Sequence, residues 1–333
     1  RAKNAPSVAF DGERFAVLWH SQPAAVSSMN GELRFSRVDR SGAASSASGV
    51  SLQGDNGVME AALLVLSPQY AALYQPIGPA VGPTLLRFGA DGKPGLTNPL
   101  PGGNATRTAL APHPEGAAAL LAGPGGSPRA LALDFKPVSV PASGSLPTAE
   151  AIAAVWLDRR PGGYVAALHT ENANASLHLL DDKLARRSQA RIRPLPEVRS
   201  ADFVAYKHGF AALVAGSNKV ALELFSAAGS STAQRTLGTI PALSGTRTRQ
   251  VSLAWTGEQL LAAYPASVPG QYELLPLDAA GKPAGSAMRL PRCLAVSSEL
   301  TMAWGGDRLA VVSLDQASGP STSCVCVTVL RCR

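Results

Sequence analysis

Seven polar positions recur in the sequence at nearly constant spacing, and together they could bind an ionic or sugar ligand. Each lies four to seven residues before the end of a short apolar segment: Asn4, Glu60, Arg107, Glu150, Arg199, Arg249 and Glu299. Arginine side chains bind carboxylates and phosphates through paired hydrogen bonds. If these positions share one rim, they predict either a ligand-binding mouth or a ring of internal ion pairs, and the sequence leaves both interpretations open.

A second set of charged residues lies in the segment "KLARRSQARIRPLPEVR". Its basic residues before the last arginine are Lys183, Arg186, Arg187, Arg191 and Arg193. Arg187, Arg191 and Arg193 share strand parity, so an extended segment would place them in one stripe on the outer edge of the fourth repeat. The stripe predicts a docking patch for an acidic surface or, alternatively, a solvated edge strand that charge protects from edge-to-edge pairing.

All the cysteines lie in the last part of the chain: Cys293, Cys324, Cys326 and Cys332. Such clustering predicts disulfides and therefore an oxidising compartment. We expect Cys293 to bond to Cys324 or Cys326. Cys326 and Cys332 would lie roughly 20 Å apart on one extended strand, far beyond the reach of a disulfide, so Cys332 is the candidate odd thiol. Zinc is the alternative, but the sequence offers neither a second Cys pair nor a nearby histidine.

The histidines give no catalytic or metal-binding spacing. They are His20, His113, His169, His178 and His208. None forms a His-x-x-x-His or His-Glu-x-x-His pattern. Asp181 and Asp182 follow His178 closely in the sequence, but we interpret them as ordinary turn aspartates. The sequence has no Gly-x-Ser-x-Gly elbow and no phosphate-binding loop. We therefore expect no cofactor and assign no catalytic residue.

The elements that must position these residues repeat along the chain. Each repeat starts with an apolar segment whose last residue we use as a marker: Phe10, Leu66, Ala111, Trp156, Tyr206, Trp255 and Trp304. The spacings are 56, 45, 45, 50, 49 and 49 residues. A polar turn and a second apolar segment follow each marker, as in "SVAF-DGE-RFAVLW", and a further pair of segments such as 32–44 comes after a Gly-, Pro- and Ser-rich loop. Asp-Gly between alternating apolar residues predicts a hairpin.

Four-stranded repeats of 40 to 50 residues predict a single all-β domain, a seven-bladed β-propeller of antiparallel blades. The expected repeats are 1–54, 55–103, 104–147, 148–196, 197–244, 245–291 and 292–333. An alternative is an Ala-rich helical protein, because "GAAALLAG" and "EAALLVL" could begin helices. Those segments are too short before Gly or Pro stops them. The seventh repeat has only three expected strands, so its blade is three-stranded or is completed by sequence outside this chain or by another chain.

The segment "FDGERFAVLW" (10–19) carries a resemblance to a known group. It resembles the "FDGxxFxVxW" repeats of large secreted propeller-like proteins from GC-rich bacteria, and the later repeats match the pattern more loosely. The resemblance implies a propeller fold and a secreted location. It implies no particular activity, because that group has none in common. The Trp-Asp, kelch and sialidase-box signatures of other propellers are absent from the sequence.

Composition narrows the expected partners. The formal net charge is +7, while only 16% of the residues are charged and 5% are aromatic. The positive balance favours an acidic glycan or an acidic surface protein. Nucleic acid is not an expected partner, because no aromatic residues are interleaved with the basic segment. No apolar run approaches the length of a membrane span.

Together these features predict a non-catalytic binding or scaffold module that is secreted, periplasmic or on the cell surface. Its expected contact surfaces are the loops at one end of the propeller, including 20–32, 75–83 and 315–323. Two alternatives remain. One is a hydrolase or lyase acting on an anionic polysaccharide at the channel mouth, with Glu60, Glu150 or Glu299 as acid or base. The other is a structural subunit that assembles through the seventh blade.

Overall fold

The fold consists of strands alone in the described part of the chain. The computed structural model describes residues 6–21, 31–46, 49–53, 58–76, 82–100, 105–123, 127–135, 138–146, 151–172, 174–192, 195, 197–241, 250–268, 271–290, 299–315 and 324–331. The strands of the first four blades are β1 (Ser7–Phe10), β2 (Phe15–Ser21), β3 (Glu32–Val38), β4 (Val50–Gln53); β5 (Val58–Val65), β6 (Tyr70–Pro76), β7 (Thr84–Phe88), β8 (Pro94–Pro99); β9 (Arg107–His113), β10 (Gly116–Ala122), β11 (Arg129–Phe135), β12 (Val138–Ser145); β13 (Ile152–Arg160), β14 (Gly163–Thr170), β15 (Ala175–Leu180) and β16 (Arg186–Ile192).

The last three blades continue the same order. Their strands are β17 (Ser200–Tyr206), β18 (Gly209–Ala215), β19 (Lys219–Ser226), β20 (Ser231–Thr239); β21 (Ser252–Trp255), β22 (Leu260–Pro265), β23 (Tyr272–Leu277), β24 (Met288–Arg289); β25 (Leu300–Gly305), β26 (Arg308–Asp315) and β27 (Cys324–Arg331). Within each blade, successive strands pair antiparallel in chain order. The predicted seven-bladed propeller is therefore confirmed. The segments that raised the helical alternative form β5 and β10.

The first strand of each blade lies innermost. Each of these seven strands contacts the first strand of the next blade, and β25 contacts β1, so the ring closes. All seven run in the same direction along the central channel. We call the end where they begin the upper end; it carries the connections between blades and between second and third strands. The lower end carries the hairpin turns, such as the predicted Asp-Gly turn after β1. Gly12 in this turn has a φ of 101°, the positive value that such a tight turn requires.

The core lies between the blades, and the second strands explain how it is built. On β2, Phe15 and Val17 pack against the seventh blade, whereas Ala16 and Leu18 pack against the second. Both faces of such a strand are buried, which is why its sequence is a continuous apolar run rather than an alternating one. In the described residues, each of the seven blade junctions has its own cluster of buried apolar side chains.

The seventh blade has three strands in the described residues, as the sequence predicts. β26 pairs with β25 on one side and with β27 on the other, and β27 is the outermost strand. The other six blades each carry a fourth strand. Among the described residues there is no helix with the length and hydropathy needed to cross a bilayer.

Candidate functional site

The upper end of the channel contains the described members of the predicted polar set. Arg107 begins β9 and Glu60 lies near the start of β5, while Arg199 and Glu299 immediately precede β17 and β25. The first strands therefore bring these four residues to one end of the channel. The other three predicted members, Asn4, Glu150 and Arg249, lie outside the described residues.

Two members of the set pair with each other across a blade junction. The Arg107 guanidinium lies 3.6 Å from the Glu60 carboxylate. Its Nη1 donates to the carbonyl oxygen of Thr106 (2.7 Å), and its Nε donates to that of Ala153. These contacts connect the innermost strands of the second, third and fourth blades. This part of the rim fits the ion-pair interpretation.

Arg199 is placed differently. Its only ion pair among the described residues is with Glu197 at 2.8 Å, two residues earlier in the chain, and 35% of its side chain is exposed. Its Nε is buried without a hydrogen-bond partner among those residues, while its backbone N–H donates to Ala215. The upper end therefore presents an arginine that is fixed at the backbone and whose side chain is partly exposed to solvent. Glu299, by contrast, is buried.

The basic segment lies on the outer edge of the fourth blade. Lys183, Arg186 and Arg187 are exposed. β16 is the fourth strand, but its pairing with β15 shifts register between Arg186 and Ser188, so a bulge interrupts the predicted alternation at Arg187. Arg187 lies 3.9 Å from Asp181. Arg191 lies further along β16, and Arg193 lies outside the described residues.

The cysteines reach the described residues only on β27. Cys324 begins that strand, and Cys326 follows two residues later, opposite Ser313 of β26. Cys293 and Cys332 lie outside the described residues, so the expected pairing stays a prediction.

Two buried histidines have local structural partners. The His169 ring Nε2 lies 2.7 Å from the carbonyl oxygen of Val198, which attaches the end of β14 to the connection into the fifth blade. His178 is fully buried, with Nε2 2.9 Å from the Ser176 hydroxyl. Burial, helped by the positive charge of Arg186, lowers the pKa of His178 to about 4. In the described ranges, no three His, Cys, Asp or Glu side chains are grouped closely enough to hold a metal ion.

A carboxylate that the sequence patterns do not identify joins three innermost strands. Asp202 of β17 accepts the indole N–H of Trp156 on β13 at 2.8 Å through Oδ1. Its Oδ2 accepts the Ser252 hydroxyl and the Leu253 backbone N–H from β21, each at 2.8 Å. The sequence signal that could have identified it is a charged residue inside an otherwise apolar first strand. Asp202 orients the Trp156 ring at the junction of the fourth and fifth blades.

That junction contains a cavity of about 90 Å³. Its walls are mainly apolar and include Trp156, Phe203 and Phe210, and the Asp158 carboxyl is part of the lining. Asp158 Oδ1 accepts the N–H of Arg159 at 2.8 Å, and Oδ2 accepts that of Ala205 at 3.3 Å. Burial raises the pKa of Asp158 above its usual value, more than these two backbone N–H groups lower it.

A second aspartate at the lower end has the opposite environment. Asp11 accepts hydrogen bonds from Arg37 Nε and Nη2 (3.0 and 2.9 Å), from the Tyr70 hydroxyl, and from the N–H groups of Glu13 and Arg14. Burial alone would raise its pKa, but these donors outweigh burial and hold the pKa of Asp11 below its usual value. Because Tyr70 belongs to the second blade, this cluster connects the first two blades.

Comparison with known proteins places the chain among β-propellers. No protein-family model matches it, and no curated protein matches its sequence. Among solved structures it is similar to the BP39L lectin from Burkholderia pseudomallei (TM-score 0.71, 11% identity, covering 99% of this chain and 96% of the lectin). It is also similar to Kuenenia stuttgartiensis hydrazine synthase (0.64, 13%, 98% and 95%) and to the Cps50 (Swd1) β-propeller domain of Myceliophteria thermophila (0.59, 11%, 99% and 98%). At these identities the likeness shows the fold alone, and one fold hosts many unrelated functions.

Proposed function

We propose that this propeller is a non-catalytic binding module that recognises an acidic glycan or an acidic surface protein at its upper end. Propellers bind partners through loops and channel mouths because the stacked blades hold these positions rigidly. The net charge of +7 favours acidic partners. A lectin propeller is among the structurally similar proteins, which is consistent with a binding role.

The proposal rests on the position of Arg199 at the upper end and on the partial exposure of its side chain. Arg107 is already bound to Glu60, Thr106 and Ala153, so its donors are largely used within the protein. Arg199 has a single ion pair among the described residues, with Glu197, and 35% of its side chain is exposed. A planar guanidinium with free donors can bind a carboxylate or phosphate in two parallel hydrogen bonds. The upper-end arginine therefore fits an anionic group on a partner.

The test compares Arg199→Ala with Arg14→Ala for retention on immobilised alginate, a polymer of sugar carboxylates. Arg14 is a matched control because it lies at the lower end, has a similar exposed fraction of 38% and also pairs with one nearby glutamate, Glu13. We expect the Arg199 variant to bind about tenfold more weakly or worse, since a hydrogen bond to a charged group contributes roughly 1.5–3 kcal/mol. Equal losses in the two variants would reduce the effect to net charge and contradict the proposed site.

The partner class and location follow from retention of the labelled protein on cell-envelope fractions. Retention that survives protease but weakens with salt identifies a glycan, whereas retention abolished by protease identifies a protein. We also propose that the protein works in an oxidising compartment, with Cys293 bonded to Cys324 or Cys326. In support, all the cysteines of the sequence lie in its last part, a clustering that favours disulfide pairing. A mass increase of about 2 Da per bond on reduction checks this proposal.

A second candidate, a structural subunit, is favoured by β27. This strand is outermost in its blade, which has three strands in the described residues, whereas each of the other six blades has four. Exposed strand edges accept a strand from another chain. Light scattering over a range of concentrations tests it: a concentration-dependent oligomer supports assembly, and a monomer throughout opposes self-assembly.

A further inference from the structure

The cavity between the fourth and fifth blades has a composition that the proposed upper-end site does not explain. It is bounded by β13, β14 and β15 of the fourth blade and by β17 and β18 of the fifth. Several water molecules would fit, since one water needs roughly 10–15 Å³ measured in this way. It is smaller than the cavity of about 150 Å³ that holds benzene in an engineered protein. A ligand of a few heavy atoms is therefore the appropriate size.

The aromatic wall of the cavity is held in a fixed orientation. The Trp156 and Phe203 rings meet edge to face, with centroids 4.6 Å apart. The indole N–H of Trp156 is bound to Asp202, which prevents the ring from turning. Phe210 is buried and adds a third ring. Preorganised aromatic rings attract cations through the negative faces of their π-systems.

The carboxyl group in the lining has no cationic partner among the described residues. Within the described ranges, the Asp158 carboxyl accepts hydrogen bonds from two backbone N–H groups, those of Arg159 and Ala205. The neighbouring arginines contact other groups: Arg159 lies over the Tyr164 ring and 3.9 Å from Asp182, while Arg160 donates to the carbonyl oxygens of Tyr164 and Ala227. A carboxylate at the wall of an apolar cavity is costly unless a positive group compensates it.

We propose that this cavity binds a small organic cation, an alkylated ammonium group, with Asp158 as its counter-ion and Trp156, Phe203 and Phe210 packed around its carbon atoms. Apolar walls suit methyl groups, which replace water in contact with the rings. The single carboxylate balances one positive charge. Recognition of alkylammonium groups by aromatic rings and a carboxylate combines two interactions that strengthen each other when water is excluded. The site is separate from Arg199, so either proposal can fail without the other.

The experiment is a calorimetric titration of the full chain with tetramethylammonium chloride and with 2,2-dimethylpropan-1-ol, a neutral compound of similar branched shape. We expect the cation to bind at least about tenfold more tightly than the alcohol, because only the cation interacts with both the carboxylate and the ring faces. Equal binding of the two compounds, or no binding of the cation, would overturn the proposal.

Two substitutions assign the binding to this cavity. Asp158→Asn keeps the shape of the side chain and removes the charge, and we expect it to weaken binding of tetramethylammonium about tenfold while leaving the alcohol unchanged. Trp255→Phe is a control away from the cavity, at the repeat position equivalent to Trp156 but two blades further along the chain. This variant should bind tetramethylammonium as the unaltered protein does. Unchanged binding by Asp158→Asn would contradict the proposal, and circular dichroism confirms that each variant is folded.

A third titration distinguishes a free small molecule from an ammonium group carried by a larger partner. The probe is a short peptide containing one trimethyllysine, compared with the same peptide containing unmodified lysine. Tighter binding of the methylated peptide than of tetramethylammonium indicates a group on a macromolecule. Tighter binding of free tetramethylammonium indicates a small ligand.

Discussion

The first and fourth blades both place an aspartate near the lower end of the ring, and the two carboxyl groups have opposite environments. Asp11, between the first and second blades, is surrounded by donors that favour the charged carboxylate. Asp158, between the fourth and fifth blades, borders a cavity, and burial favours its protonated form. His178 in the fourth blade is likewise shifted toward its neutral form. The junction of the first and second blades therefore stabilises a charged carboxylate. At the junction of the fourth and fifth blades, the described residues give the Asp158 carboxyl no positively charged partner.

The charged junction shows how a propeller can fasten neighbouring blades. Arg37 holds the Asp11 carboxylate from within the first blade, and Tyr70 reaches it from the second. The rings of Phe35, Tyr70 and Phe88 pack together with centroids 4.8 to 5.5 Å apart. The polar and aromatic contacts share Tyr70, so the loss of one weakens the placement of the other.

The largest expected effect comes from removing the carboxylate at the charged junction. Asp11→Ala should lower the free energy of unfolding by about 3 kcal/mol, because Arg37 and Tyr70 lose their buried partner. Urea unfolding at pH 7 measures the change. Asp39→Ala is the control: Asp39 caps a turn in the same blade with local bonds to Ser41 and Ala43, so it should cost clearly less. A similar cost for both would mean that Asp11 is only a turn cap.

His178 gives a second effect of similar size, and this effect depends on pH. Its pKa is lowered from 6.5 to about 4. The unfolded chain therefore binds a proton at a higher pH than the folded protein does, and stability falls as pH decreases from 6.5 to 4. The loss from this one group is about 3 kcal/mol. In His178→Leu this contribution to the pH dependence should disappear, as measured by urea unfolding at several pH values. An unchanged slope would contradict the shift.

The smallest expected effect has the opposite sign, because it is a stabilisation at Asp158. Because the pKa of Asp158 is raised in the folded protein, ionisation above the unfolded value of about 3.9 opposes folding. Without a bound cation, Asp158→Asn should therefore stabilise the protein at pH 7 by about 0.5–2 kcal/mol. Thermal unfolding checks this, and the gain should shrink toward pH 4 as Asp158 protonates in the parent protein. Destabilisation at pH 7 would mean that a compensating positive group is already in place.

Much of the architecture could be predicted because it follows from repetition. The recurring marker residues, the Asp-Gly turns and the continuous apolar second strands each have one physical cause, and together they predict the blades, their number and the short seventh blade. The spacing also placed Glu60, Arg107, Arg199 and Glu299 at strand starts, which a shared direction of seven strands brings to one end.

Contacts between blades could not be predicted in the same way. The pairing of Glu60 with Arg107, and of Trp156 with Asp202, depends on the relative shift of the first strands of different blades. The spacing of residues within one repeat does not specify that shift. Asp158 reads in the sequence as the beginning of a turn, "LDRRPGG". In the structure it still belongs to β13, and the cavity beside it exists only when the fifth blade packs against the fourth.

The contact that closes the ring also sets the timing of folding. Phe15 and Val17 of the first blade are covered by Ala310 and Val312 of the seventh, about 300 residues later in the chain. At a synthesis rate of about 5–20 residues per second, the first blade waits about 15–60 s for its last neighbour. During that interval one apolar face of the nascent protein has no native partner.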